Sequence, residues 1–339
     1  MNKAAPRASV IILTRNEEAN IGRCLDGVFA QKADFPFEVI VVDSGSTDRT
    51  LDIIRKYDLK LLQIPPEQFD HGLTRQFGAA HGTGEFVVTI VADAVAVGET
   101  WLANLLRPFA EDPNIVGVYG GQVPRENCDP FNAAQLRAWV TGGEKRVIHR
   151  LPEGVRLADM PPEKRREMVN FDDINSARRR SILEKFPFPG CEYAEDLAWA
   201  WDVLSAGYTL VYEPSAKVIH SHRRTLGYAF KKRFLDQRFL VLYFGMALYA
   251  GFTTAVRSIV REIRNYLAIA MGLKGFFRKI KWAILAPFFA MAEITGSYLG
   301  IMSACDMGRC RSDIEKQIKR KADKIARKFA ATAIRHPKG

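Results

Sequence analysis

Two almost uninterrupted apolar runs near the N-terminus, residues 9–14 (SVIILT) and 37–43 (FEVIVVD), constrain this chain more than any other feature. Strands that read as continuous Val/Ile runs are buried on both faces, the setting of parallel strands sandwiched between helices. The second run ends in a turn, Asp43-Ser44-Gly45-Ser46-Thr47-Asp48, immediately before a helix-like stretch, TLDIIRKY. In open α/β sheets the carboxyl ends of such strands border a crevice where loops and helix N-termini meet ligands. This turn offers small side chains, amides and hydroxyls, and Asp48 can cap the following helix. Neither GxGxxG nor GxxxxGK[ST] occurs anywhere, so it is not a phosphate-cradling loop, and Asp43 is better matched to the donors of a nucleoside. An ordinary helix-capping turn is the simpler alternative.

The pattern then alternates. Strands are expected at 9–14, 38–43, 60–64 and 86–91 and helices at 18–31, 50–57, 73–80 and 101–109, which implies an α/β, Rossmann-like, mostly parallel sheet flanked by helices. Residues 117–121 add a strand and turn. The pattern loosens through a polar, proline-containing stretch to about residue 170, expected to be mobile or to shape an acceptor site. Order returns with helices at 180–186 and 196–206 and strands at 209–213 and 217–220.

Several side chains on this frame could carry chemistry. Asp93 directly follows VVTIV, which puts a carboxylate at a strand's carboxyl edge, beside the strand that ends at Asp43. A divalent cation held there could neutralise a diphosphate; an isolated turn acid is the plainer reading. Glu195 and Asp196 open the amphipathic stretch LAWAWDVL, where carboxylates either cap the helix dipole or serve as a general base. His220 and His222 flank Ser221 at a strand end and project to the same side, which suits a metal or diphosphate contact. Arg75 precedes the Asp93 strand and could grip a phosphate with both arms of its guanidinium, or lie exposed on the surface. Cys24, Cys128, Cys191, Cys305 and Cys310 are odd in number and lack CxxC spacing, which argues against disulfide and zinc frameworks and for a reducing compartment.

Together, SVIILTRNEE, EVIVVDSGSTDRT, FDHGLTRQFGAAHGTGEFVVTIVADAV, YAED and HSH resemble the family 2 glycosyltransferases, which have the nucleotide-diphospho-sugar transferase (GT-A) fold. The likeness covers about residues 8–235, in the family's order. FDHG, ADA in place of a full DxD, and HSH resemble its rhamnosyltransferase branch. The resemblance implies an inverting transfer of a sugar, rhamnose from dTDP-rhamnose in that branch, to a hydroxyl of a glycan or lipid-linked glycan in surface polysaccharide synthesis. It implies that Thr14, Asn16, Glu17, Asp43 and Ser44 line the donor's nucleoside pocket with Arg75 nearby. By the same likeness Asp93 is the surviving DxD acid, binding the donor and, with His222, a divalent metal (Mn2+ or Mg2+), while Asp196, with Glu195 beside it, is the base. Val91 stands where the first DxD acid lies in the family, and Ala94 where many members have another acid. A catalytically silent sugar-nucleotide or polysaccharide-binding module is the alternative this loss suggests.

A chain of 339 residues has room for a catalytic domain, expected at 1–235, and an appended C-terminal module at 236–339. From residue 251 onward there are 18 Lys and Arg against six Asp and Glu, whereas the preceding part is nearly neutral. Residues 239–256 carry no charge, residues 282–304 carry only Glu293, and both approach membrane-spanning length. The basic, apolar stretch between them reads as an interfacial helix, and the end of the chain as a basic helix suited to anionic headgroups. The expectation is a basic amphipathic helical module lying on the inner face of the cell membrane, with packing of its apolar helices against the catalytic domain or against a second subunit of a homo-oligomer as the alternative. Nucleic acid is not expected, because no binding motif accompanies the charge. The opening MNKAAPRASV contains no apolar signal segment, which agrees with a cytoplasmic protein.

Overall fold

The computed structural model describes residues 5–190, 193–222, 224–249 and 251–306. Its first half is β1 (Ala8–Thr14), α1 (Ile21–Phe29), β2 (Phe37–Asp43), α2 (Thr50–Ile54), β3 (Lys60–Gln63), α3 (His71–Ala80) and β4 (Phe86–Ile90). β1 runs parallel to both β2 and β4, and β2 parallel to β3. The continuous apolar runs have a direct cause. Val10, Ile12, Val41 and Val88 pack with Ile21, Leu25 and Val28 of α1, while Ile11, Ile40 and Val87 belong to the core on the opposite face with Ala79 of α3. The sequence reading put the strand leading to Asp93 beside the Asp43 strand; the structure corrects this, because β1 pairs with both and lies between them.

The second half is β5 (Val95–Ala96), α4 (Trp101–Leu106), β6 (Ile115–Val123), α5 (Pro130–Ala138), β7 (Val147–His149), α6 (Pro162–Met168), β8 (Asn175–Arg179), α7 (Arg180–Lys185), α8 (Glu195–Ser205) and β9 (Thr209–Ile219). The sheet order is β3-β2-β1-β4-β8-β6-β9-β5, with β7 also on β9. β8 enters antiparallel to both β4 and β6, so the sheet is mixed, although β6 and β9 are again parallel. The two strands expected at 209–213 and 217–220 are one strand, β9, whose register against β6 shifts between Gly120 and Gly121. The stretch before residue 170 holds α5, β7 and α6 in place of the loosened pattern expected there.

Three long helices follow: α9 (Leu226–Phe244), α10 (Phe252–Met271) and α11 (Phe276–Asp306). α9 runs unbroken through residue 235. The uncharged run 239–256 is not one helix, because α9 stops at Phe244 and Gly245 turns left-handed with φ 63°. α9 and α11 touch backbone to backbone. A Cβ on Gly296 or Gly300 would lie 2.4 Å from the carbonyl oxygens of Phe230 and Phe234, respectively. Glu293, the lone charge of the second apolar run, is buried in this seam and accepts from Arg224 (2.6 Å), Tyr266 (2.9 Å), Gln135 (3.0 Å) and Arg233 (3.3 Å). Burial alone would raise its pKa, but Arg233 and Arg224 outweigh that and hold the carboxyl below its ordinary range. By length and composition Phe276–Cys305 could cross a membrane, yet half of its most apolar window is buried in the protein. The basic stretch 307–339, expected to form the final helix, lies outside the described residues.

Candidate active site

The crevice begins at the carboxyl end of β2. Asp43 is fully buried, and its Oδ2 accepts the amides of Gly45 and Ser46 at 3.0 Å each, while Ser46 Oγ donates to Oδ1. Ser44 is held by Thr14, whose carbonyl accepts the Ser44 amide at 3.0 Å. Asn16 adopts φ 54°, a left-handed conformation that Asn tolerates better than most residues, and its Oδ1 accepts the Thr47 amide at 2.8 Å. The two loops thus lock together, with the Glu17 amide donating to Thr50 Oγ1 at 2.7 Å. Thr14 Oγ1 is buried with no hydrogen-bond partner among the described residues. Such a hydroxyl costs about 1–3 kcal/mol unless a ligand completes it. Asp48 accepts the Thr50 amide at 3.0 Å from one residue ahead of the N-cap position, which Arg49 occupies.

Asp93 lies in the turn after β4. His220 Nε2 is 3.6 Å from its Oδ1 and His222 Nδ1 is 3.8 Å from its Oδ2, with the two rings 4.7 Å apart edge to face. The ligating atoms of all three lie within 4.8 Å of one another, a group able to hold a metal ion. Burial pushes the His220 pKa down to about 4 and lowers His222 as well, so at neutral pH both imidazoles are uncharged. Neutral nitrogens beside one carboxylate fit a divalent cation chemically. Arg125 stands against the same acid, donating to the Asp93 carbonyl, with its Nη2 3.7 Å from Oδ2. Burial raises the Glu17 pKa and Asp93 adds to the effect, which links the nucleoside loop electrostatically to this cluster.

α8 begins after Ala194, a non-glycine residue at φ 57°. Backbone held in that region is costly and persists only where the surroundings enforce it. Here Gly72 helps, since a Cβ there would sit 2.0 Å from the Pro189 carbonyl, and the close approach brings α3 against the loop that leads to α8. Arg75 of α3 is buried and ion-paired with Glu195, with Asp173 Oδ2 3.7 Å away. The structure therefore departs from the sequence reading of Arg75 as a phosphate ligand or surface residue, because its charge is committed to two buried carboxylates. Glu195 is correspondingly tied to Arg75, leaving Asp196 as the acid of the pair without an ion-pair partner among the described residues. Asp196 accepts the Leu197 amide at 2.8 Å and the Asp173 amide at 3.4 Å. Burial, then Glu195, Asp173 and Asp172, push its pKa well above the ordinary carboxylate range.

Asp172, Asp173, Arg178 and Arg125 were not singled out from the sequence. Arg178 is fully buried, 2.6 Å from Asp173 and enclosed by the rings of Phe171, Phe188 and Trp199. The adjacent acids in NFDDINSARRR were the available signal. One polar path joins the two halves of the site. Asp93 faces His220, His220 Nδ1 meets Gln122 Oε1 at 3.1 Å, Gln122 Nε2 donates to Asp172, and the Asp173 amide reaches Asp196.

The family model described as "Glycosyl transferase family 2" matches residues 9–186, more than half of the chain. The chain belongs to this family. Among its relatives, the transferase is 31% identical over 209 residues to the O-antigen chain rhamnosyltransferase WbaN of Salmonella anatum, covering 61% of this chain and 63% of that protein. It is 28% identical over 232 residues to the O-antigen chain rhamnosyltransferase RfbN of Salmonella typhimurium, covering 67% and 70%, respectively. Among solved structures, the mannosyltransferase PcManGT from Pyrobaculum calidifontis, in complex with GDP-Man and Mn2+, superposes with a TM-score of 0.50 at 22% identity, covering 99% of this chain and 82% of the other. That likeness concerns the fold, which is of the GT-A type.

Proposed function

We propose that the transferase moves rhamnose, with inversion, from a nucleoside diphosphate donor such as dTDP-rhamnose to a hydroxyl of a lipid-linked glycan during surface polysaccharide synthesis. The observation that carries this reading is Asp196, a carboxyl of raised basicity linked through the Asp172-Asp173 turn and Gln122 to His220 of the Asp93, His220 and His222 cluster. Kinship with the two O-antigen rhamnosyltransferases supports the sugar and the acceptor class.

In this mechanism Asp43 accepts hydrogen bonds from the nucleoside, Thr14 Oγ1 finds its partner there, and Asn16 and Glu17 shape the wall. Asp93, His220 and His222 would hold a divalent cation, Mn2+ or Mg2+, which neutralises the departing diphosphate when bound. Arg125 adds a fixed positive charge beside them. Asp196 takes the proton of the acceptor hydroxyl as that oxygen attacks the anomeric carbon from the face opposite the leaving group. Its raised pKa matches the task, because a more basic carboxylate accepts the proton further along the path. Glu195 holds Arg75, and no second carboxylate is needed as a nucleophile, so the anomeric centre inverts.

The transferase would work as a peripheral protein on the cytoplasmic face of the membrane. Supporting this, α10 exposes Phe252, Val256, Val260 and Met271, and α11 exposes Phe277, Ile284, Phe288 and Met291, two stripes at helical spacing flanked by exposed Arg257, Arg264, Lys274, Arg278 and Lys281. Apolar stripes edged with cations suit an anionic bilayer surface.

The test is a panel of nucleotide sugars screened by thermal shift with and without Mn2+ or Mg2+, followed by anomeric analysis of the product by NMR. A β-to-α or α-to-β change at the transferred sugar is expected. A chain that is stabilised by no nucleotide sugar and releases no nucleoside diphosphate under any metal condition would overturn the reading.

A further inference from the structure

We infer that Gln122, near the end of β6, is a positioning residue that ties the cation cluster to the general base. This rests on the function proposed above and adds a residue that it leaves without a role. Gln122 is buried, with 5% of its surface exposed, and both ends of its amide are engaged. Nε2 donates to Asp172 Oδ2, whose companion Oδ1 accepts the Ile174 amide at 3.0 Å. With Nε2 turned to Asp172, Oε1 points to His220 Nδ1, 3.1 Å away. Oε1 cannot donate. His220 must therefore carry its proton on Nδ1 and present the Nε2 lone pair towards Asp93 Oδ1, 3.6 Å away. Two electron-rich atoms facing one another at that distance are an arrangement that a cation between them would complete. A hydrogen-bonded partner of this kind fixes both tautomer and ring orientation in metal sites, and losing it typically weakens metal binding about 10–100-fold.

The other end reaches the base. Holding Asp172 fixes the Asp172-Asp173 turn, whose Asp173 amide donates to Asp196 Oδ2 at 3.4 Å. Polarisation of His220 by a cation strengthens its donation to Oε1, which in turn strengthens donation from Nε2 to Asp172. Gln122 thus lets occupation of the donor-side cluster organise the acceptor-side carboxylate, two functions that lie on different strands and loops.

Two variants of the full-length chain separate the ends. Gln122→Met removes both hydrogen bonds, and Gln122→Glu keeps an acceptor for His220 while removing the amide donor to Asp172. Mn2+ binding is measured without donor, by electron paramagnetic resonance or calorimetry, alongside kcat and donor KM; thermal melting controls for folding. The expected result is a Kd for Mn2+ raised about 10-fold or more in Gln122→Met but within about threefold of the parent in Gln122→Glu, whose kcat falls with donor KM unchanged. If Mn2+ binds the parent chain and both variants equally well, or if Gln122→Glu turns over at the parental rate, the tie is refuted while the transferase reading stands. If the parent chain binds no Mn2+, the tie is refuted as well, and the transferase reading is judged separately by nucleotide-sugar binding and nucleoside diphosphate release.

Discussion

Two buried ionic clusters sit in this molecule, and they are built to opposite ends. In the first, around α8, Asp172, Asp173, Glu195 and Asp196 gather with Arg75 and Arg178, and the carboxyl of Asp196 is driven up. In the second, under α11, Asp129 and Glu293 meet Arg224 and Arg233, and the carboxyl of Glu293 is driven down. Burial pushes both acids the same way, so the difference lies in the neighbours. Asp196 is surrounded by other carboxylates, whereas Glu293 is surrounded by guanidinium groups and a tyrosine hydroxyl. An acid in excess is available for proton transfer, and a balanced acid acts as a fastening.

The sharpest way to break that contrast is Asp196→Asn, which removes the surplus charge while keeping an oxygen that can accept the Leu197 amide. Turnover should fall by about 10²–10⁴-fold, with donor affinity by calorimetry nearly unchanged. Unaltered turnover would show that the surplus has no catalytic use. Glu293→Ala should act inversely, leaving Arg224 with Asp129 alone and the partly exposed Arg233 without its acid. A loss of about 1–3 kcal/mol in denaturant unfolding is expected, with the per-molecule rate of the folded fraction kept. Gly296→Ala drives a methyl into the Phe230 carbonyl and should destabilise by about 1–3 kcal/mol through forced separation of α9 and α11. The smallest effect concerns pH. Asp196 must be ionised to work, so the rate should rise with pH through a midpoint above the usual carboxylate range. Asp172→Asn, which removes one negative neighbour, should move that limb to lower pH; a limb that stays in place or moves up would place the cause elsewhere. The Glu293 fastening titrates with the other sign. Its depressed carboxyl stabilises the fold above the ordinary Glu range, and that contribution is lost as pH falls through the lowered value.

The first half of the fold was legible because β1, β2 and β4 are covered on both sides, and a doubly covered strand must be written in Val and Ile. β8 was not legible for the opposite reason. Its sequence, NSARR, is polar, yet Asn175, Ser176, Ala177 and Arg178 are buried, since the sheet solvates Arg178 with Asp173 and three aromatic rings. A central strand held by an internal ion pair carries no apolar signature. The same holds at the site. Asp43, Asp93 and Asp196 stand next to recognisable strand ends or helix starts, whereas Gln122 and Asp172 gain meaning only when β6 and β8 are brought side by side. Arg75 was misread because a helix sequence does not say which carboxylates will come to face it.

α9 passes between the two clusters. Lys232 donates to Tyr193 Oη, just before the strained Ala194, while its neighbour Arg233 reaches Glu293 on the other side of the helix. A continuous helix of 19 residues, about 28 Å long, thus ties the cleft at one flank to α11 at the other. Whatever surface grips α11 would therefore set the height and bearing of the cleft as a jig does a drill.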